Sequence, residues 1–126
     1  MYYQRIMNKK PFNCPAELTL HLIAGKWKVI VLWLIRKGPQ RSGKIKSRIP
    51  GITSTAFSKA VRELEADGIL RRISKGTYPP EVSYELTSRG ETLGPIVKSL
   101  VKWGLTRQAD YAIGEFSMVQ FYRSGR

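Results

Sequence analysis

Cysteine, histidine and acidic residues are all scarce in this chain. A single cysteine, Cys14, excludes an internal disulfide. A single histidine, His21, with no CxxC pair or Cys/His cluster, leaves no ligand set for zinc and reads as structural. No apolar run approaches the ~20 residues that span a bilayer, the stretch 29–35 (VIVLWLI) being too short, and the opening MYYQRIMNKK lacks the apolar segment of a signal peptide. The expected compartment is therefore the cytoplasm. There is no Gly-rich phosphate loop, no nucleophile beside a base and no converging carboxylate pair, so the expectation is a protein that is not an enzyme and carries no cofactor and no metal.

The shortage of acid bears most on function. The chain has 126 residues, 22 Lys+Arg against 9 Asp+Glu, and a formal net charge of +13. A small protein of that charge implies a polyanionic partner. Between Glu17 and Glu63 there is no carboxylate, while the same stretch carries Lys26, Lys28, Arg36, Lys37, Arg41, Lys44, Lys46, Arg48, Lys59 and Arg62. A surface built for solubility alone mixes both signs. The hydrophobic share of 42% suits one domain, residues 1–126, that folds on its own core.

Helical punctuation fills the first half. Pro15 with Glu17 in the following turn starts a helix whose apolar face is Leu18, Leu22 and Ile23, and Gly25 interrupts it. Trp27, Ile30, Val31, Leu34 and Ile35 recur at helical spacing before Gly38 and Pro39. Ile45 and Ile49 define a short third helix that Pro50 stops. In GITSTAFSKAVRELEADGIL, residues 51–70, steps of about 100° place Phe57, Ala60, Val61 and Leu64 on one face. Thr55, Ser58, Lys59 and Arg62 fall on the other, with Thr53 or Ser54 as the N-cap.

Two β-prone runs follow, residues 69–73 and 82–86, around the turn-rich SKGTYPPE, as in a hairpin with a basic tip. Ser88 and Glu91 have capping-box spacing for a last helix with the stripe Leu93, Ile96, Val97, Leu100 and Val101. The tail keeps Tyr111, Ile113, Phe116, Val119 and Phe121, too apolar for a solvated linker.

Helices, a helix with an exposed polar and basic face, then a hairpin make a mainly α protein with a small β-hairpin, in the order of a winged helix-turn-helix. Small hydroxyls at the start of the second helix of such a motif let backbone approach base edges and phosphates. The expected DNA-reading residues are Ser54, Thr55, Ser58, Lys59 and Arg62. Arg41, Lys44, Lys46 and Arg48 are the flanking phosphate contacts, and Arg72 and Lys75 those of the wing. Ordinary exposed charge on the hairpin is the competing reading of the last pair.

CPAELTLHLIAGKWKVIVLWLIRKGPQR, IPGITSTAFSKAVRELEADGIL and YPPEVSYELTSRGETLGPIVKSLVKWG, in this order across residues 14–104, resemble the HxlR family of winged helix-turn-helix transcriptional regulators. The resemblance implies a homodimer on an inverted-repeat operator in double-stranded DNA, with the N- and C-terminal helices as dimerisation helices and residues 105–126 as a dimer-associated extension. The chain departs from that family at Ser42-Gly43, where a large apolar residue is usual, so the first helix of the motif is expected to pack more loosely. Some similar proteins use the cysteine matching Cys14 to sense oxidants or electrophiles. Two readings of Cys14 stand, a reactive thiol at a helix start near Lys9 and Lys10, or a small apolar residue within the dimer interface. The alternative for the whole chain is a nonspecific nucleoid or RNA-associated basic protein.

Overall fold

The computed structural model describes residues 12–76, 78–111 and 118–123. Its first helix, α1 (Pro15–Ile23), starts at Pro15 with Cys14 as N-cap. Gly25, at φ 103°, turns the chain by 80° into α2 (Lys26–Ile35). That backbone suits glycine because a Cβ is strained at positive φ. No single described helix is long and apolar enough to cross a membrane. Ile30 to Ile35 are all buried, so α2 is not amphipathic but the axis of the core.

A two-residue strand, β1 (Gln40–Arg41), leads into α3 (Ser42–Ser47) and then α4 (Ser54–Ala66). The wing is β2 (Leu70–Lys75) and β3 (Glu81–Leu86), and β1 pairs with β3, making an antiparallel sheet of order β1-β3-β2. The expected hairpin is thus part of a three-stranded sheet. Two residues of strand are too short to show a period-2 pattern, which is why β1 is silent in the sequence.

The exit from α4 is set by chemistry readable in advance. Gly68, at φ 77°, donates its N–H to the Glu65 carbonyl, and Ile69 donates to the Leu64 carbonyl, the paired bonds of a Schellman cap. Leu64 and Ile69 are both fully buried, sealing the corner between α4 and the wing.

After the wing the expected capping box gives way to a different cap. Thr87, not Ser88, caps α5 (Ser88–Glu91): its hydroxyl oxygen accepts from Gly90 N–H and the hydroxyl donates to the Gly68 carbonyl. The helix then breaks and resumes as α6 (Gly94–Arg107), followed by a 3-10 turn (Gln108–Tyr111) and α7 (Val119–Arg123).

The expected stripe on α6 divides in two. Leu93, Val97 and Val101 pack on the core, whereas Ile96, Leu100 and Trp103 lie on the solvent side. On α1 the expected apolar face is likewise incomplete: Leu22 and Ile23 pack inward, but Leu18 is exposed, as is Leu20 at 62%. The tail returns to the body at α7, where Tyr122 meets Trp33 edge-on at 5.5 Å between ring centroids and Phe121 packs on Tyr122. Ile113 and Phe116 lie outside the described residues, as do Lys9 and Lys10.

Candidate nucleic-acid interface

Thr53 is the N-cap of α4: its hydroxyl accepts a 3.0 Å hydrogen bond from Ala56 N–H. One of the two candidate caps is thereby occupied, and Ser54 becomes the first helical residue. Phe57, Ala60, Val61 and Leu64 are buried against the body, as the spacing predicts. Ser54, Thr55, Ser58, Lys59 and Arg62 line one open groove of about 480 Å³ on the opposite side. Five side chains separated in sequence thus share one surface, and all five carry hydrogen-bond donors.

Around this helix the structure sorts the basic residues. Lys28, counted in the positive stretch, is removed from the surface: its Nζ lies 2.7 Å from Glu63 Oε1. Arg36 lies over the Trp33 ring at 3.8 Å and donates to the Trp33 carbonyl. Burial, helped by the charge of Arg48, lowers the Arg36 pKa. Lys26 stacks on Trp27. Lys28 is thus withdrawn from the exposed basic surface, and Arg36, partly buried at the C-cap of α2, is engaged with Trp33.

The four flanking positions also differ among themselves. Lys44 is exposed on α3, and Lys46 turns toward α4. Arg48 is half-buried at the C-cap. Arg41 is exposed but forms a 3.1 Å ion pair with Glu81, the first residue of β3 at the tip end of the wing. Despite Ser42 and Gly43, Ile45 of α3 and Ile49 just beyond it are both buried in the core.

On the wing, register decides which charges meet. Arg72 pairs with Tyr84 and Lys75 with Glu81. Strand alternation puts Arg72 on the face of Leu70 and Tyr84, toward α4, and Lys75 on the other face with Arg71. The two expected wing residues therefore do not converge. Arg71 forms a 2.9 Å bond with Glu85 across the strands.

Between α3, α4 and the wing lies a cleft of about 350 Å³ to which Ser42, Lys46, Arg62, Glu65, Arg72 and Tyr84 contribute. Tyr84 is 7% exposed, and Arg72 lies directly across the strands from it on the same face. Desolvation raises the Tyr84 pKa, with the Arg72 charge opposing and Glu65 reinforcing that shift. Tyr84 and Glu65 were not legible as site residues. Tyr84 shows only the alternation of a half-buried strand, and its partner depends on a register that the sequence SKGTYPPE does not announce.

Cys14 is exposed at the start of α1. His21 packs on Phe12 at 5.3 Å between ring centroids.

The description of HxlR-like helix-turn-helix proteins matches residues 22–110. The HTH-type transcriptional regulator YkvN of Bacillus subtilis is 41% identical over 112 residues, 88% of this chain and 95% of YkvN. Among solved structures, the redox regulator HypR in its reduced form is 40% identical, with a TM-score of 0.72 over 75% of this chain and 94% of that one. The reduced transcriptional regulator YodB of B. subtilis is 26% identical, with a TM-score of 0.63 over 74% of this chain and 92% of that one.

Proposed function

The chain belongs to the HxlR-like helix-turn-helix family and is a transcriptional regulator of the helix-turn-helix type, and from that premise we propose that it acts as a homodimer on an inverted-repeat operator in double-stranded DNA. One observation carries the reading: α4 is anchored by Phe57, Val61 and Leu64, and its free face is made of Ser54, Thr55, Ser58, Lys59 and Arg62. Hydroxyls and a lysine on such a face pair with base edges in the major groove, and Arg62 grips the backbone. Lys44, Lys46 and Arg48 from α3, with Arg41 beside them, supply phosphate contacts. Arg72 and Lys75 extend these along the wing.

The homodimer reading draws support from the apolar surface left outside the protomer core. Leu18 and Leu20 on α1 and Ile96, Leu100 and Trp103 on α6 are exposed, Trp103 at 58%. Two copies joined through these helices would place their recognition helices about 34 Å apart, one turn of DNA. The protein works as a binding module without catalysis and in the cytoplasm.

Cys14 makes the regulator responsive to oxidants or electrophiles, a reading supported by its exposure at the start of α1 and by the likeness to a redox regulator. Alkylating Cys14 and measuring operator affinity tests this, since unchanged affinity removes the sensor.

Selection of bound duplexes from a random pool tests the whole. An enriched palindrome is the expected result. Equal recovery of all sequences at fixed salt would instead favour a nonspecific nucleoid or RNA-associated protein.

A further inference from the structure

The cleft between the recognition helix and the wing differs from the rest of the basic surface in how its charges are satisfied. On the wing and β1, Arg41 is paired with Glu81 and Arg71 with Glu85. Among the described residues no ion pair holds Lys46, Arg62 or Arg72, which reach the cleft from three different elements. Glu65 offsets one of the three, leaving the cleft net positive. Like charges gathered without partners are favourable only when an anion comes between them.

Arg72 is also the one of these cations with a fixed support. It stands directly opposite Tyr84 in the β2–β3 register, on the same face of the sheet, and both side chains line the cleft. Tyr84 is anchored by its own burial, so the wing presents Arg72 at a set height beside Arg62. A side chain held in this way loses less conformational freedom when it binds.

We propose that this cleft seats one backbone phosphate of the DNA, with Arg62, Arg72 and Lys46 contacting its oxygens and Tyr84 acting as a positioning residue for Arg72. The inference rests on the operator-binding reading and adds a defined phosphate seat to it. A phosphate held there ties the angle of the recognition helix in the groove to the position of the wing, because its ligands come from both. A guanidinium and a phosphate form strong, directional bonds, so the seat sets register without reading a base.

The test measures affinity for a selected operator and for a random duplex across a salt series. Arg62→Ala, Arg72→Ala and Lys46→Ala should each weaken binding to both duplexes by the same factor and make the log–log salt slope shallower by a share of the roughly 0.9 that one phosphate contributes. Tyr84→Phe keeps the ring in the core and removes only the hydroxyl. It should weaken both duplexes about fivefold to tenfold, and should have no further effect in the Arg72→Ala background. An equal loss from Tyr84→Phe in both backgrounds, which a purely structural role would give, overturns the positioning role. Wild-type affinity in Tyr84→Phe, or an unchanged salt slope in Arg72→Ala, while Lys59→Ala and Arg62→Ala still lose binding, overturns this inference alone. Failure of the wild-type protein to bind duplex DNA overturns the operator reading and this inference with it.

Discussion

Lys28 Nζ lies 2.7 Å from Glu63 Oε1, with the lysine side chain 7% exposed and the glutamate 31%. The pair joins the central helix α2 to the recognition helix α4 one turn before its end. A charge so deep in the core is tolerated only because it is paired, and replacing Lys28 removes that pair. Lys28→Met, which keeps the stem and loses the charge, should destabilise the fold by about 1–3 kcal/mol. Urea unfolding reads this as a lower midpoint at unchanged slope.

A second prediction concerns the corner between the wing and α5. Gly90 is buried, and a Cβ at that position would overlap the Ile69 carbonyl oxygen, which is backbone and cannot swing aside. Gly90→Ala should therefore cost ~1–3 kcal/mol, the range of core overpacking, although alanine is the better helix former. A rise in thermal midpoint would contradict the close approach.

Two lysines near the groove should behave differently. Lys59→Ala should weaken operator binding by ~1–3 kcal/mol and relax preference at one base position. Lys44→Ala, exposed on α3, should weaken every duplex alike and make the salt dependence shallower. Titrations of an operator and a scrambled duplex at several salt concentrations separate the two behaviours.

The apolar surface on α6 predicts an oligomeric consequence. Leu100 points to solvent within the protomer, so Leu100→Glu should leave the monomer's own stability within about 0.5 kcal/mol. In the dimer the same side chain would bury an unpaired carboxylate. Sedimentation should show the variant shifted to monomer, and operator affinity should fall with it.

Tyrosine ionisation contributes to the loss of stability at alkaline pH. Burial raises the pKa of both Tyr84 and Tyr122, so the folded state favours the neutral phenol. The unfolded chain ionises first, at the ordinary value near ~10. Stability from this source is complete below that value and is lost as pH rises through it toward the folded pKa. Urea midpoints should fall above pH ~10, and Tyr122→Phe should reduce the fall.

Much of this protein follows from sequence because the signals are local. Pro15, the Thr53 cap, the burial period of Phe57, Val61 and Leu64, and Gly68 act within a turn or two of themselves. They determined α1, α4 and the polar face of α4, and the scarcity of acid between Glu17 and Glu63 set the expected sign of the partner. Tertiary structure decided what depends on pairs far apart in the chain. It withdrew Lys28 from the surface to Glu63, held Arg41 to Glu81, turned Lys75 away from Arg72, and set Arg72 on Tyr84 beside Arg62. The physical reason is that a side chain's type and its helical or strand period say which way it leaves its own backbone, whereas its charge acts on whatever the packing of other elements brings within a few ångströms.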